Sequence, residues 1–599
     1  MDILLTYGLA LALALPLGLF MARLMEAPAP RMTAGLLRAC GVDAARGMSW
    51  RAYVGALLGT NVIVGLVALA TYLLQGGLPL NPDGIANLRW DTAVHTMASF
   101  ITNTNQQHYS GQSGLSYLSQ MLGITALQIF TPAVGFAALF AVLRGLRGDA
   151  HLGNYFLDVT RGAALLTVSS AVLALLLTWQ GVPSTFAGAR TATLVQPQTV
   201  GGQAVTTQTI PVGPVAPMVA IKQLGTNGGG WYGPNSTVPL ENPTPLSNLL
   251  ETVSIILFPL ALVVATGRFL RRPRFGLVLM GVMSALSAAL MLGAVLAERM
   301  PNAALAGLSA LGPNMEGKEV RLGADATALW AALTTQTSNG SVNGMLDSFT
   351  PLGGLVPQLG MFLNDVYGGI GVGLINMLVF VILTVFVAGL MVGRTPELFG
   401  RKIEAPEIKL ASLILLLQPL LVLGFTALAL ANPAVTANSN PGFHGLSQVL
   451  YEYNSAFANN GSGFEGLGDN TPWWNLSCAL VLLLARFLPI VGPLAIAGLL
   501  AAKRAAPEGS GTLRVDTPVF AGMLLSVMLL LQLLNFAPAL VLGPVAEQMT
   551  LCGSRPGCDP ERSKQQPTGR TERRDGQVLS LTGPQWSPAP LTLVKDVTK

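Results

Sequence analysis

Ten long apolar runs alternate with polar connections along the first 548 residues. They fall at about 3–22, 52–75, 115–143, 162–182, 252–267, 275–297, 366–393, 410–431, 475–502 and 517–546. Each is close to the ~20 apolar residues that a bilayer-spanning helix requires. Nine are free of charge, and the run at 475–502 carries Arg486. The first run, MDILLTYGLALALALPLGLFMA, has Asp2 where a signal peptide would have a basic segment, so it is predicted to be a retained helix closed by Arg23.

Four further stretches, about 92–101, 215–224, 325–336 and 446–458, are helix-like but too short to cross. Each precedes a polar, glycine- or asparagine-bearing segment: Thr102-Asn103-Thr104-Asn105, Thr226-Asn227-Gly228-Gly229, Ser338-Asn339-Gly340-Ser341 and Asn459-Asn460-Gly461-Ser462. The spacing of about 110–125 residues predicts four copies of a helix–half-helix–helix unit, the first divergent. Thr244-Pro245, Thr350-Pro351 and Thr471-Pro472 echo one another after the last three loops. The predicted fold is all-α: about ten transmembrane helices, arranged as four pore-loop repeats plus one extra N-terminal helix. The predicted boundaries are 1–50 for that helix and the loop after it, 51–147, 160–274, 275–409 and 410–504 for the repeats, and 515–548 for the tenth helix.

Composition supports a membrane protein: 51% of the 599 residues are hydrophobic, 11% are charged, and the mean hydropathy is +0.55. The pI near 9.1 raises nucleic-acid binding, but no basic stripe with interleaved aromatics is present. The basic residues instead mark sidedness. Connections after runs 1, 3, 5, 7 and 9 hold 5, 3, 4, 4 and 3 of them, against 1, 2, 3 and 0 after runs 2, 4, 6 and 8. The first set is therefore predicted to be cytoplasmic, with both termini outside. The half-helices then all dip in from the outer face, where irregular backbone survives only against protein or an aqueous cavity.

A single Asn-Gly is usually a surface turn, but four in matching positions point to a pore. Backbone carbonyls replace the water shell of a potassium ion without a fixed charge that would trap it. Glycine permits the conformations that aim them, and Thr, Ser and Asn hydrogen-bond the turn from behind. Arg486, about eleven residues into its run, lies near mid-bilayer. It must be paired there, or stand under the loops where its charge opposes free cation flow. A polytopic enzyme would need a cluster of acids or histidines at one depth, and His95, His108, His151 and His444 are scattered in sequence. The chain has neither a DKTG phosphorylation sequence nor a Walker A loop, so any ATP chemistry would belong to a partner.

The ordered motifs TNTNQQHYSGQSGLSYLSQM (102–121), LGTNGGGWYGPNSTVPLENPTP (224–245), SNGSVNGMLDSFTPLGG (338–354), GLMVGRTPELFGRKIE (389–404), ANNGSGFEGL (458–467) and GPVAE (543–547) closely resemble the KdpA family. These are potassium-binding subunits of bacterial potassium-importing ATPases. The resemblance implies an inner-membrane location and membership of a wider superfamily of potassium transporters. It implies a P-type ATPase catalytic subunit (KdpB-like), a single-span accessory subunit (KdpC-like) and a small membrane peptide (KdpF-like) as partners, with ATP used by the partner alone. It places ion coordination on Asn103, Gln107, Thr226, Asn227, Gly228, Ser338, Asn339, Gly340, Asn459, Asn460 and Gly461, and an intramembrane arginine on Arg486. Arg394 is either a second charged site near the ion tunnel or an ordinary positive-inside residue. A stand-alone four-repeat transporter or channel is the alternative, which GRTPE, ENPTP and GPVAE disfavour. Residues 549–599 extend past the family's usual end; rich in Pro, Gly and charge, they are predicted to be disordered, with Cys552 and Cys558 either bridged or free.

Overall fold

The computed structural model describes residues 2–553, apart from 306–311, 433, 435–439 and 508–511. The expected tail and the Cys552–Cys558 pairing lie almost wholly outside the described residues. Among the described residues, ten helices are long and apolar enough to cross a membrane: Asp2–Glu26, Trp50–Gly77, Ser119–Arg147, Tyr155–Gln180, Pro245–Phe269, Pro273–Leu305, Val372–Met391, Ala405–Leu430, Pro472–Ala501 and Pro518–Leu551. They are numbered spans 1–10 below. Each overlaps a predicted run. Span 10 outlasts its predicted end, because helix continues to Gly553.

Burial sorts the spans into two rings. Spans 3, 5, 7 and 9 have 67–83% of their apolar windows buried, whereas spans 1, 2, 4, 8 and 10 have 22–33% and span 6 has 56%. The second long helix of every repeat is thus an inner helix, and the first faces outward with apolar side chains such as Leu66, Val172 and Leu420 exposed. Bilayer hydrocarbon is the natural neighbour of such a face. Span 1 lies along span 5 at Gly18, where a Cβ would fall on the Ala261 carbonyl. Its Tyr7 hydroxyl joins Ser284 of span 6 and Tyr367.

The four half-helices are Trp90–Ile101, Val215–Leu224, Gly323–Gln336 and Phe443–Ala458. Polar side chains on them, including Ser99, Gln223, Thr334 and Asn454, are fully buried, so protein rather than lipid surrounds the half-helices. The Thr-Pro echoes are helix starts. Thr244, Thr350 and Thr471 cap their helices by accepting from Ser247, Gly353 and Trp474 N–H groups, with proline at the first helical position. Thr517-Pro518 does the same for span 10. In the third repeat the inner helix is broken, with Pro351–Leu363 preceding span 7. The break starts at Asn364, which has a left-handed backbone.

Two small antiparallel ribbons depart from an all-α reading. Strands β1 (Arg190–Val200) and β2 (Gln203–Ile210) join through Gly201-Gly202, both at positive φ, as a tight hairpin turn requires. Strands β3 (Glu397–Leu398) and β4 (Arg401–Lys402) form a two-rung hairpin after span 7. The second ribbon adds Leu398 to the core, the first adds nothing to it, and neither alters the helical framework.

Candidate functional site

Each half-helix ends in the same way. Asn103, Thr226, Ser338 and Asn459 have φ of 65°, 49°, 51° and 52°, left-handed values that suit glycine best and a β-branched threonine least. The following amide reaches back five residues in every case. Thr104 N–H donates to Ser99 O (3.0 Å), Asn227 to Lys222 O (2.9 Å), Asn339 to Thr334 O (2.9 Å) and Asn460 to Ser455 O (2.9 Å). These are four Schellman closures. One residue further on, the backbone is left-handed again, at Asn105 (58°), Gly228 (78°), Gly340 (89°) and Gly461 (100°). The pattern corrects the first loop by one position: Asn103, not Thr102, is the counterpart of Thr226, and Asn105 replaces the glycine.

The closures direct the C-terminal, partially negative end of every half-helix at its loop, the polarity that favours a cation. The strained first position is held by its side chain. Thr226 Oγ1 accepts from Ile370 N–H (3.0 Å), Asn103 Oδ1 accepts from Thr131 Oγ1 (2.9 Å), and Ser338 Oγ donates to Asn364 Oδ1 (2.9 Å).

The loops close into a ring. Asn103 Nδ2 donates to Thr226 O (3.0 Å), Asn339 Nδ2 to Lys222 O (3.0 Å), Asn460 Nδ2 to Thr334 O (2.8 Å) and Asn459 Nδ2 to Thr104 Oγ1 (3.0 Å). Repeat one thus bonds two, three bonds two, four bonds three, and four bonds one. The glycines sit where these loops touch. A Cβ at Gly228 would fall on the Asn339 carbonyl, one at Gly340 on the Asn460 carbonyl, and one at Gly461 on the Thr104 carbonyl. Ten of the eleven predicted coordinating residues belong to this ring. Gln107 lies just beyond it, where its Oε1 accepts from Gly230 N–H (2.9 Å) and steadies the exit of the second loop.

Buried charge braces the ring from behind. Lys222, on the second half-helix, pairs with Glu241 and donates to Asn235 Oδ1 and Ser236 Oγ, both at 2.7 Å. Asn235 in turn donates to Gly228 O (2.7 Å). Lys318 pairs with Glu298 at 2.7 Å, both side chains fully enclosed. His444 bridges Asp347 (2.7 Å) and Glu547 of the GPVAE motif (2.9 Å). Burial by itself would lower its pKa, but the two carboxylates outweigh this and carry it up to about 9.

Arg486 is buried, and no ion pair or hydrogen bond to it occurs among the described residues; its Nη2 is unpartnered. It lines a cavity of about 50 Å³ together with Ser338 and Asn459 of the ring, Asn376, Gln418 and Gln532. The charge therefore stands beside two of the four loops. Arg394 does not join it. That side chain is half-buried after span 7 and donates to Thr512 O (3.2 Å).

The histidines, scattered in sequence, converge in part. His95 and His108 stack with ring centroids 3.8 Å apart, and His108 contacts Glu452 (3.1 Å) and Asn475 (2.8 Å). Burial would lower the His108 pKa, but Asp469, Glu452 and Asn475 raise it to about 9. Glu452, Asn475, Lys222, Glu241 and the glutamines of the cavity had no signal in the sequence. Their partners lie as far as 384 residues away, and one buried polar residue in an apolar run reads like another.

Ten spans and a ring of four re-entrant loops define a multi-pass membrane transport protein of the pore-loop class. Residues 4–549 match the family described as the potassium-transporting ATPase A subunit, KdpA. The chain belongs to that family. It is 48% identical over 506 residues to a Gloeobacter violaceus protein, covering 84% of this chain and 88% of the other, and 49% identical over 537 residues to one from Pseudomonas aeruginosa, covering 88% and 93%. Both are named potassium-transporting ATPase potassium-binding subunits. Among solved structures, the potassium transporter TrkH from Vibrio parahaemolyticus aligns with a TM-score of 0.48 at 13% identity, covering 80% of this chain and 96% of that one.

Proposed function

We propose that this chain binds potassium at the four-loop ring and passes it to an ATP-driven partner, as the potassium-binding and translocating subunit of an import complex. The observation that carries the reading is the repeated double left-handed turn in all four loops. Alternating handedness turns successive peptides so that consecutive carbonyls can face one axis, and oxygen ligands of that kind suit a large monovalent cation. The ligands are then Asn103, Thr226, Asn227, Gly228, Ser338, Asn339, Gly340, Asn459, Asn460 and Gly461, with Gln107 bracing the mouth.

The four repeats keep the boundaries 51–147, 160–274, 275–409 and 410–504, flanked by an N-terminal helix and a tenth span at 515–548. The chain sits in the bacterial inner membrane with the ring towards the outside and both termini extracytoplasmic. Arg486, beneath the ring, opposes straight-through conduction, so the ion leaves sideways to the partner. Arg394, at the cytoplasmic end of span 7, follows the positive-inside bias. The partners are a KdpB-like P-type ATPase, which alone uses ATP, with a KdpC-like single-span subunit and a KdpF-like peptide.

The test is potassium uptake in a strain lacking its other importers, with and without the ATPase subunit. Uptake only in its presence is expected. Uptake that persists without it would instead indicate a stand-alone transporter.

A further inference from the structure

Beside the first and fourth loops, three side chains from the first and fourth repeats converge: His108 after the first half-helix, Glu452 on the fourth, and Cys478 on span 9. All three are buried, and their donor atoms lie within 4.8 Å of one another. Glu452 Oε1 is 3.1 Å from His108 Nε2 and 3.8 Å from Cys478 Sγ. Tetrahedral bonds of about 2.0 Å to N and O and 2.3 Å to S separate such donors by about 3.3–3.6 Å. The observed spacings bracket those values.

A second observation concerns the imidazole. Asn475 Nδ2 donates to Asp91 Oδ2 (2.9 Å), which leaves Asn475 Oδ1 to accept from His108 Nδ1–H at 2.8 Å. That is the support a metal-binding histidine needs, since it orients the ring and turns Nε2 towards the ligand cluster. Asp469 Oδ2, 3.9 Å from the same Nε2 and with its side chain one-third exposed, offers a fourth oxygen and a way in from the surface.

We infer that His108, Glu452 and Cys478 form a site for a borderline-soft divalent cation of the zinc and cadmium type, separate from the potassium ring. Thiolate and imidazole donors select such ions over potassium or sodium. Binding exchanges one divalent ion for the Nε2 and thiol protons, so the net charge of the cluster is unchanged. It also reaches the ring, because Glu452 Oε1 accepts from Gln106 Nε2 (2.5 Å), and Gln106 directly follows Asn105. An ion that claims this oxygen releases Gln106 and loosens the first loop.

The test uses the full-length chain in detergent with Cys40, Cys552 and Cys558 replaced by serine, which leaves Cys478 as the sole thiol. Chelator-treated protein is titrated with Cd²⁺ while the ultraviolet thiolate-to-cadmium band is followed, and zinc is tested as competitor. One equivalent binding tighter than about 1 µM is expected. Cys478→Ser should abolish the band, and His108→Gln should keep it but weaken binding by at least about 10-fold. The absence of a saturable band in the single-thiol protein would overturn the site, as would His108→Gln binding with unchanged affinity. A melting temperature raised by cadmium in the single-thiol protein but not in Cys478→Ser is a check independent of absorbance. A fall in potassium affinity with zinc bound is also expected; this last readout rests on the potassium reading of the ring, whereas the cadmium titration does not.

Discussion

Gly228→Ala tests the ring at one of its closest inter-loop contacts. The backbone there is left-handed at φ 78°, which costs an alanine about 1–2 kcal/mol. The new methyl would fall on the Asn339 carbonyl, with Asn339 C at 2.6 Å, and this is backbone that cannot rotate away. Overpacking of this kind adds about 1–3 kcal/mol. The damage extends to the third loop, because Asn339 belongs to it and its side chain ties that loop to Lys222 O. If the strain of about 2–5 kcal/mol is released by opening the ring, potassium affinity falls by at least about 30-fold. Selectivity should relax in parallel, with rubidium, ammonium and sodium competing better. The assay is calorimetric titration of potassium into the purified chain, repeated with each competitor. Gly424→Ala is the control, since that helical glycine on span 8 is exposed and has nothing within 4 Å of a built Cβ. It should bind like the parent protein and gain up to about 1 kcal/mol in helix propensity. Affinity and selectivity in Gly228→Ala within twofold of the parent would refute the ring as the potassium site.

Arg486→Met should raise ATP-independent potassium leak through proteoliposomes; a unit charge about 10 Å from the ion at an effective dielectric of about 20 opposes it by ~1.7 kcal/mol, or about 15-fold in rate. Unchanged leak would remove the arginine from the ion path. Lys222→Met leaves Glu241 enclosed without its cation and should cost about 3–5 kcal/mol, read as a lower melting temperature, with partial recovery in Lys222→Met/Glu241→Gln. His444 makes stability pH-dependent. Its folded pKa, near 9, exceeds the ordinary value of 6.5, so its contribution is complete below pH 6.5 and is lost as pH rises through 9. After allowance for screening at this partly exposed site, about 1–2 kcal/mol should disappear across that window, and His444→Gln should flatten the slope. A slope that survives the substitution would assign the effect to another group.

The sequence determined the crossings and their order, because about 20 uncharged apolar residues have few other uses and a lipid-facing helix needs no specific partner to be recognisable. It also determined the four half-helices, whose polar loops recur at a repeat length, and it marked Arg486 by the cost of a charge in an apolar run. What it misplaced was local geometry. The register of the first loop depends on which residue turns left-handed, and asparagine does so more readily than most residues with a side chain, so Asn103 and Asn105 hid the pattern that Gly228, Gly340 and Gly461 made visible. The hairpin of β1 and β2 was missed for a similar reason, since a short exposed ribbon leaves no core-facing alternation to read. Tertiary structure alone decided the rest. The bonds that close the ring join residues more than a hundred positions apart, and the pair of His108 with Glu452 forms only once the first and fourth repeats have folded against one another; even Lys222 and Glu241, 19 residues apart, meet only when the second loop has turned back on its half-helix. A buried polar side chain carries its cost in its own sequence, but the group that offsets that cost can come from any point along the chain.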